Sequence, residues 1–535
     1  MRRALPLFLS MSLLGARALA QGTSNGTPSP EDPAPPRDTA PPAPAPQPRA
    51  LATPSGGPTV TLRLPGELQL RFNALTDIPL QTTPGRTDQS TVLGQNLWAE
   101  HWFRFRPTLS IGERFRVLSA FDIARLVLAE AYPQDVGLSR EQRLELLPVN
   151  LFDLRQLYVE WESPVGLLRV GQQGFTSGLG MLANDGDRTP LFGDYRQGDL
   201  VERVAFATRP FGRQTDLTVA VAGDLIYRDR VASLAAGDIA LQGVLAMFYQ
   251  DHACRARCDR RRVGGYVAWR DITYRQDLGT LGVAVGDLYA RWEWPQPDHL
   301  GRVFAGLELA GLLGSTDVAR TQFIDHHRIV QFGAVAEVGF ERDERYRVAL
   351  EGGYASGDSN PVDGAQRRFT FNPSYRVGMI LFPEVVAWQT ARSASIASDP
   401  NLLGRPTHGA FLLPSSGGVT GAMYLYPQAS FNLSRHLEVR GAMVVAMAST
   451  DWVDPVSVQL VGSARNFRGG DASRRDLGVE LDLGLLGDYE LARGVSLQGG
   501  LQGGVLFPGR AFDDAAGNPM QRVAMVQARM GLKFQ

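Results

Sequence analysis

From about residue 58 to the C-terminus, apolar and polar residues alternate with period two. Between Arg475 and Leu485, Leu477, Val479, Leu481, Leu483 and Leu485 take one parity, and Asp476, Gly478, Glu480, Asp482 and Gly484 take the other. In a strand the two sets point to opposite faces. One such strand suits any half-buried sheet. Here the pattern recurs: Leu288, Ala290, Trp292 and Trp294 oppose Asp287, Tyr289, Arg291 and Glu293, and Tyr346, Val348 and Leu350 oppose Arg347, Ala349 and Glu351. A soluble sandwich core excludes charges from its inner faces. An apolar outside with a charged inside is the arrangement of a transmembrane β-barrel.

Composition agrees. The mean hydropathy of −0.13 leaves no room for many apolar helical spans, but alternating strands average to such a value. Formal net charge is −1, so no global field draws nucleic acid, and no nucleic-acid partner is expected. Short polar turns, such as Gly112-Glu113-Arg114 and Ser163 to Gly166, alternate with long connections, among them 174–199, 358–417 and 451–473. That alternation fits periplasmic turns and extracellular loops. The fold class read from it is all-β: an antiparallel up-and-down transmembrane β-barrel of about eighteen strands. The first three run over 59–73, 98–111 and 115–124, and the last over 521–534. Within the longest loop, Tyr375 to Thr390 reads either as an extra hairpin or as a segment folded over or into the pore. Aromatic residues near segment ends (Trp98, Trp102, Phe103, Phe105, Tyr158, Trp161, Trp292, Trp294, Tyr424, Tyr426) read as headgroup-level anchors.

The N-terminus carries an address. Arg2 and Arg3 precede an apolar run from Leu5 to Leu14, and Ala18-Leu19-Ala20 offers a small-x-small cleavage site. Residues 1–20 therefore read as a signal peptide cut before Gln21. Residues 21–57 are Pro-rich and read as a disordered linker. The barrel takes 58–535. The expected location is the outer membrane of a Gram-negative cell. The expected partners are outer-membrane lipid, the barrel assembly machinery, and a small polar solute or polysaccharide.

Glu351-Gly352-Gly353-Tyr354-Ala355-Ser356-Gly357-Asp358, followed by Phe369, Phe371 and Asn372, resembles a segment of outer-membrane porins of the alginate-export type. Arg169 to Gln173, leading to Gly178 through Asp187, resembles an uncharacterised group of myxobacterial-type barrels. The resemblance implies an eighteen-stranded transport barrel. Alginate exporters line their lumen with basic groups, whereas the lining inferred here is mixed, so alginate is not carried over as the substrate.

The inward parity supplies candidate pore-lining residues: Arg104, Arg106, Arg169, Arg203, Arg291, Arg347, Arg440 and Arg529, with Glu293, Glu337, Glu351 and Glu480. Rings of charge set selectivity in pores; alternatively, such charges pair and stiffen the wall. Glycines on that parity (Gly171, Gly353, Gly478, Gly484, Gly500, Gly531) read as leaving room inside. Asn184-Asp185-Gly186-Asp187 and Asp358 to Gly364 are oxygen-rich, but neither has a full calcium-loop pattern, and no metal is assigned. Cys254 and Cys258 flank three residues, and a disulfide is expected in an oxidising compartment. No phosphate loop, dinucleotide fingerprint or zincin motif occurs. His326-His327 beside Asp325 is the best acid–base pair and stands opposite no nucleophile. No catalytic residue, cofactor or enzymatic activity is expected. The resulting function is passive passage of small polar solutes or a polysaccharide, narrowed by inward-folding loops. The alternative is a structural or adhesive barrel with a closed lumen.

Overall fold

The computed structural model describes residues 58–81, 93, 96–130, 150–193, 197–212, 216–251, 259–275, 279–296, 301–318, 320, 324–342, 345–399 and 408–535. The signal peptide, the Pro-rich linker, Cys254 and Cys258 lie outside these residues.

Eighteen antiparallel strands form the wall: β1 (Gly66–Leu75), β2 (Asn96–Phe105), β3 (Phe115–Glu130), β4 (Asn150–Ser163), β5 (Gly166–Gln173), β6 (Leu200–Thr208), β7 (Leu217–Arg228), β8 (Ile239–Gln250) and β9 (Arg260–Thr273). The second half is β10 (Thr280–Pro295), β11 (Gly301–Thr316), β12 (His327–Arg342), β13 (Tyr346–Ala355), β14 (Ala422–Ser434), β15 (Leu437–Ala448), β16 (Asp476–Ala492), β17 (Val495–Pro508) and β18 (Val523–Phe534). Each pairs with its neighbour in sequence. The ring closes where β1 pairs with β18, from Gly66 opposite Phe534 to Leu75 opposite Met525. Closure removes the unpaired edge that an open sheet would leave, and satisfies every wall hydrogen bond internally, as lipid demands.

Two segments differ from the alternation reading for one reason. Pro65 and Pro107 supply no ladder N–H, so the segments 59–73 and 98–111 each break there. Val60–Arg63 instead pairs with Thr108–Ile111, which in turn pairs with β3. Strand β3 also runs past the expected end at 124, through a non-glycine residue at positive φ (Ala124, φ 50) and a register shift against β2.

The two parities separate as expected. On β16, Leu481, Leu483 and Leu485 are 46%, 70% and 44% exposed, whereas Glu480 and Asp482 are buried. The outer surface is a band of aliphatic and aromatic side chains, including Phe72, Trp161, Val267, Trp269 and Leu288. Phe103, Phe105 and Phe534 stack across the β1–β2–β18 seam. The anchor reading fails for four aromatics. Trp98, Trp102, Tyr424 and Tyr426 are buried, because they share the parity of the inward charges. Trp102 lies under the guanidinium groups of Arg71, Arg104 and Arg125, and Tyr424 donates to the Glu351 carboxylate at 2.7 Å.

Candidate functional site

The barrel interior is the candidate site, and the long loop between β13 and β14 shapes it. The stretch from Tyr375 to Thr390 is not a hairpin. A π-helical turn (Leu381–Val386) runs into α1 (Ala387–Ala397), and both are buried. The apolar run Met379-Ile380-Leu381-Phe382 has no alternating pattern and packs on all sides. Its bed is Tyr424, Tyr426, Val444, Leu477, Leu506 and Met525, so the segment fills the β14–β18 flank of the lumen with an apolar core. Phe369, Phe371 and Trp388 belong to the same core.

A wall carboxylate anchors this plug. Glu480 on β16 accepts the backbone N–H groups of Met379, Ile380 (2.8 Å) and Leu381 (2.7 Å). These are N–H groups at the start of a helical turn, where no intrahelical acceptor exists. Gly378 precedes them with φ +70, and a Cβ there would stand 2.7 Å from Glu480 Oε1. The chain needs glycine at this point for both reasons. The loop 174–199 repeats the device. Glu308 on β11 accepts from Leu179 (2.5 Å), Met181 (3.1 Å) and Leu182 (3.4 Å), and Gly178 precedes them at φ +59. The loops also join each other: Asn372 N–H donates to the Met181 carbonyl at 2.7 Å, and the Asn372 side-chain amide donates to Asp199 at 2.6 Å.

The inward glycines do not leave open space. A Cβ at Gly353 would fall 2.2 Å from the Tyr424 ring, and one at Gly484 would fall 3.2 Å from Phe192 of loop 174–199. At Gly500 it would meet Leu486 at 2.7 Å. These glycines are sockets for rings and side chains that the interior already contains. Gly171 and Gly478 sit at positive φ against strand carbonyls.

Eleven of the twelve candidate lining residues lie within wall strands, on the face that carries the buried ion pairs, and Arg106 follows the end of β2. Arg104 forms a two-point pair with Asp122 (2.6 and 2.9 Å), and Arg203 does the same with Asp224 (2.7 and 2.8 Å). Arg106 reaches Asp187 at 2.7 Å and Arg169 reaches Glu160 at 2.6 Å. Arg291 bridges Glu293 (2.9 Å) and Glu337, and Arg347 also reaches Glu337 at 3.5 Å. Arg440 pairs with Glu438 at 2.8 Å and donates to the Leu191 carbonyl at 3.0 Å. Arg529 lies beside Gly500. Glu351 and Glu480 bond to Tyr424 and to the plug backbone rather than to arginine. Alternation in the sequence reaches the parity of these residues. It does not reach their partners, which come from the same strand, from neighbouring strands and from loop 174–199.

The sequence reading did not find Glu308, Asp287, Ser177, Asp122 or Trp102 as a working set. Asp287 accepts from Ser177 of the loop at 3.1 Å. A signal was available: inward carboxylates at mid-strand and a G-x-G or G-M-I-L turn in a long loop are complementary. No rule of spacing pairs them across 100 or more residues. Among the described residues no group of three His, Cys, Asp or Glu side chains is arranged to hold a metal. Asp187 is taken by Arg104 and Arg106, and Asp363 by Arg367. His327 is buried at the start of β12.

The plug carries its own titratable group. Burial pushes the Glu384 carboxyl up to about 7, against the opposing pull of the Trp388 Nε1–H that donates to it at 2.9 Å. Its folded value lies above the free value of 4.5. The packed plug is therefore favoured most below the free value, and that advantage is lost as pH rises through 7. Protease cleavage within 376–397 should be faster at about pH 8 than at about pH 5, and Glu384→Gln should flatten the difference. Equal cleavage rates in the unaltered protein would show that Glu384 ionises without strain.

Between the plug, loop 174–199 and the opposite wall, β6–β12, lies a cavity of about 320 Å³. Its lining mixes aliphatic residues with Arg203, Arg270, Asp229, Gln242 and Tyr266.

No family model matches the chain, and no curated protein matches it. Solved structures do. Pseudomonas aeruginosa OccK5 (OpdH) is 8% identical over 88% of this chain and 98% of its own, with a TM-score of 0.46. The outer membrane protein OprD of the same organism is 10% identical over 88% and 92%, with a TM-score of 0.45. Pseudomonas aeruginosa OpdK, solved with vanillate, is 11% identical over 88% and 98%, with a TM-score of 0.44. The alginate-export resemblance finds no support in these comparisons. At such identities the likeness is one of distant barrels, and the reading of this lumen rests on its own geometry.

Proposed function

We propose that this protein is an outer-membrane channel through which small polar solutes diffuse, narrowed by the inward loops 174–199 and 358–417. The carrying observation is the division of the interior. One flank is packed dry by the plug, while the β6–β12 flank keeps a cavity edged by charged and amide side chains. A barrel that served only as a scaffold would gain nothing from a polar recess beside an apolar plug. The ion pairs on the wall balance in sign, which supports weak ion selectivity rather than a strong preference for either sign. The apolar outer band, with the N-terminal stretch that reads as a signal peptide, supports insertion into the outer membrane. No step of this function involves bond chemistry.

Single-channel conductance in a planar bilayer, with a salt gradient, tests the proposal. Stable steps with a reversal potential near zero are expected. Silence from a folded, heat-modifiable barrel calls for deletion of 376–397. Current from the deleted form would mean a gated channel. Continued silence would favour the second reading, a closed structural barrel, which the apolar seal of the plug supports.

A further inference from the structure

We infer that the cavity on the β6–β12 flank is a binding site for a neutral cyclic polyol, a mono- or disaccharide. The inference deepens the channel reading, on which only the solute's route in and out depends.

The register of the wall sets two chemically different sides. Across β8 to β12, one level of inward residues runs Gln242, Arg270, Val283, Gly314, Ile329, and the next runs Val244, Ala268, Val285, Leu312, Gln331. The β10–β12 side is thus aliphatic, and the β6–β9 side is polar. An aliphatic patch on an inner wall that otherwise carries ion pairs is a departure from the barrel's own pattern. Leu312 reaches the plug's core and Val285 the Phe175–Tyr266 cluster, and the rest of the patch borders the cavity.

The charges at the cavity are occupied with one another. Arg203 donates through Nε and Nη2 to the two oxygens of Asp224, which also accepts from Gln242 at 2.9 Å. Arg270 donates to Asp229 at 2.5 Å and to Gln242 at 2.9 Å. Arg368 donates to the Val453 carbonyl at 2.6 Å. Asp199, just before β6, takes the Asn372 amide, and burial with the nearby Asp229 charge pushes it up to about 8, so it stands largely neutral. What remains uncommitted is the Tyr266 hydroxyl, the amides of Gln331 and Gln366, and Arg230, which makes no hydrogen bond or ion pair among the described residues. Arg230 sits in the field of Asp229, which partly offsets its charge.

A sugar ring has a C–H face and a rim of hydroxyls. The C–H face needs an apolar surface, and Val283, Val285, Leu312 and Ile329 provide one. The rim needs neutral donors and acceptors, which Tyr266 supplies from β9, across from the aliphatic patch, and Gln331 and Gln366 supply at its β12 edge. An ion that met Arg203, Arg270, Asp224 or Asp229 would have to break an existing pair, at a cost that a polyol avoids, and Arg230 is, among the described residues, the one cation of the lining where an anion would not. The volume of about 320 Å³ lies at the small end of the range for ligand sites, about 300–1,000 Å³.

The test uses the full-length protein folded in detergent micelles, with maltose and glucose as probes and benzoate as an anionic probe, read by titration calorimetry. Maltose or glucose should bind while benzoate does not. Tyr266→Phe and Gln331→Met should each weaken binding about fivefold, the loss of one hydrogen bond. Gln502→Met, on the plug flank, should leave binding unchanged. Each variant is first checked for the heat-modifiable folded band. Benzoate binding that Arg230→Met abolishes, without sugar binding, would overturn the inference in favour of an anion site. So would absence of all binding by the folded protein. Conductance recorded in parallel separates the two readings: sugar binding without current keeps this site and sinks the channel, while current without sugar binding does the reverse.

Discussion

Glu480→Ala should release the plug and raise single-channel conductance several-fold. In the folded protein the Glu480 carboxylate receives the N–H groups of Met379, Ile380 and Leu381, and it is wholly buried. Alanine leaves three buried donors without acceptors and a void beside Gly378. Each orphaned donor costs about 1–3 kcal/mol, so the packed plug loses roughly 3–9 kcal/mol before any relaxation. The apolar contacts of Ile380, Phe382 and Val386 remain, and they decide how completely the segment leaves. The barrel ladder is untouched, so the heat-modifiable band should persist. Faster protease cleavage within 376–397 would accompany the current rise. Unchanged conductance together with unchanged cleavage would mean that the apolar core alone holds the segment, and the carboxylate latch would be refuted.

A large loss of stability in the barrel wall itself follows Asp122→Ala. Asp122 on β3 lies beneath Arg104, which grips both of its oxygens, with Arg155 at 4.0 Å. Both members of the Asp122–Arg104 pair are about 1% exposed. Arg71 and Arg125 share the same pocket around Trp102. Removing the anion leaves a cluster of buried guanidinium groups facing one another. Breaking a buried pair from one side costs about 3–5 kcal/mol. The unfolding temperature of the folded band should fall by many degrees, and the double change Arg104→Met with Asp122→Ala should recover much of it. A single variant that melts with the parent would show that water or Asp187, which also contacts Arg104, already carries the balance.

Much of the fold was legible. Alternation alone located eighteen strands, because a strand in a barrel wall has two solvents, lipid and lumen, and its side chains must answer both. Where the reading slipped, a local rule that outranks periodicity was at work: the missing N–H of Pro65 and Pro107, or the positive φ of Ala124. The aromatic misreading has the same character. Trp98, Trp102, Tyr424 and Tyr426 were taken as anchors for their ring chemistry, although their parity puts them inside. The plug was legible only as an exception. Met379 to Phe382 is too continuously apolar for a solvated loop, which shows that it must be buried but not where. Glu480, which holds it, stands about 100 residues away, as Glu308 does from loop 174–199, and sequence spacing does not join them.

Sequence by itself determined that the chain is a closed β wall with an apolar exterior and a charged interior. Period-two alternation is a one-dimensional record of a two-faced surface. Only the tertiary structure decided what the interior is. It paired inward arginines with carboxylates of the same strand, of neighbouring strands and of loop 174–199, seated rings on inward glycines, and laid an apolar loop along the β14–β18 flank so that the remaining space lies against β6–β12. Those choices depend on which residues meet across the lumen, and closure of the ring, rather than neighbourhood along the chain, brings them together.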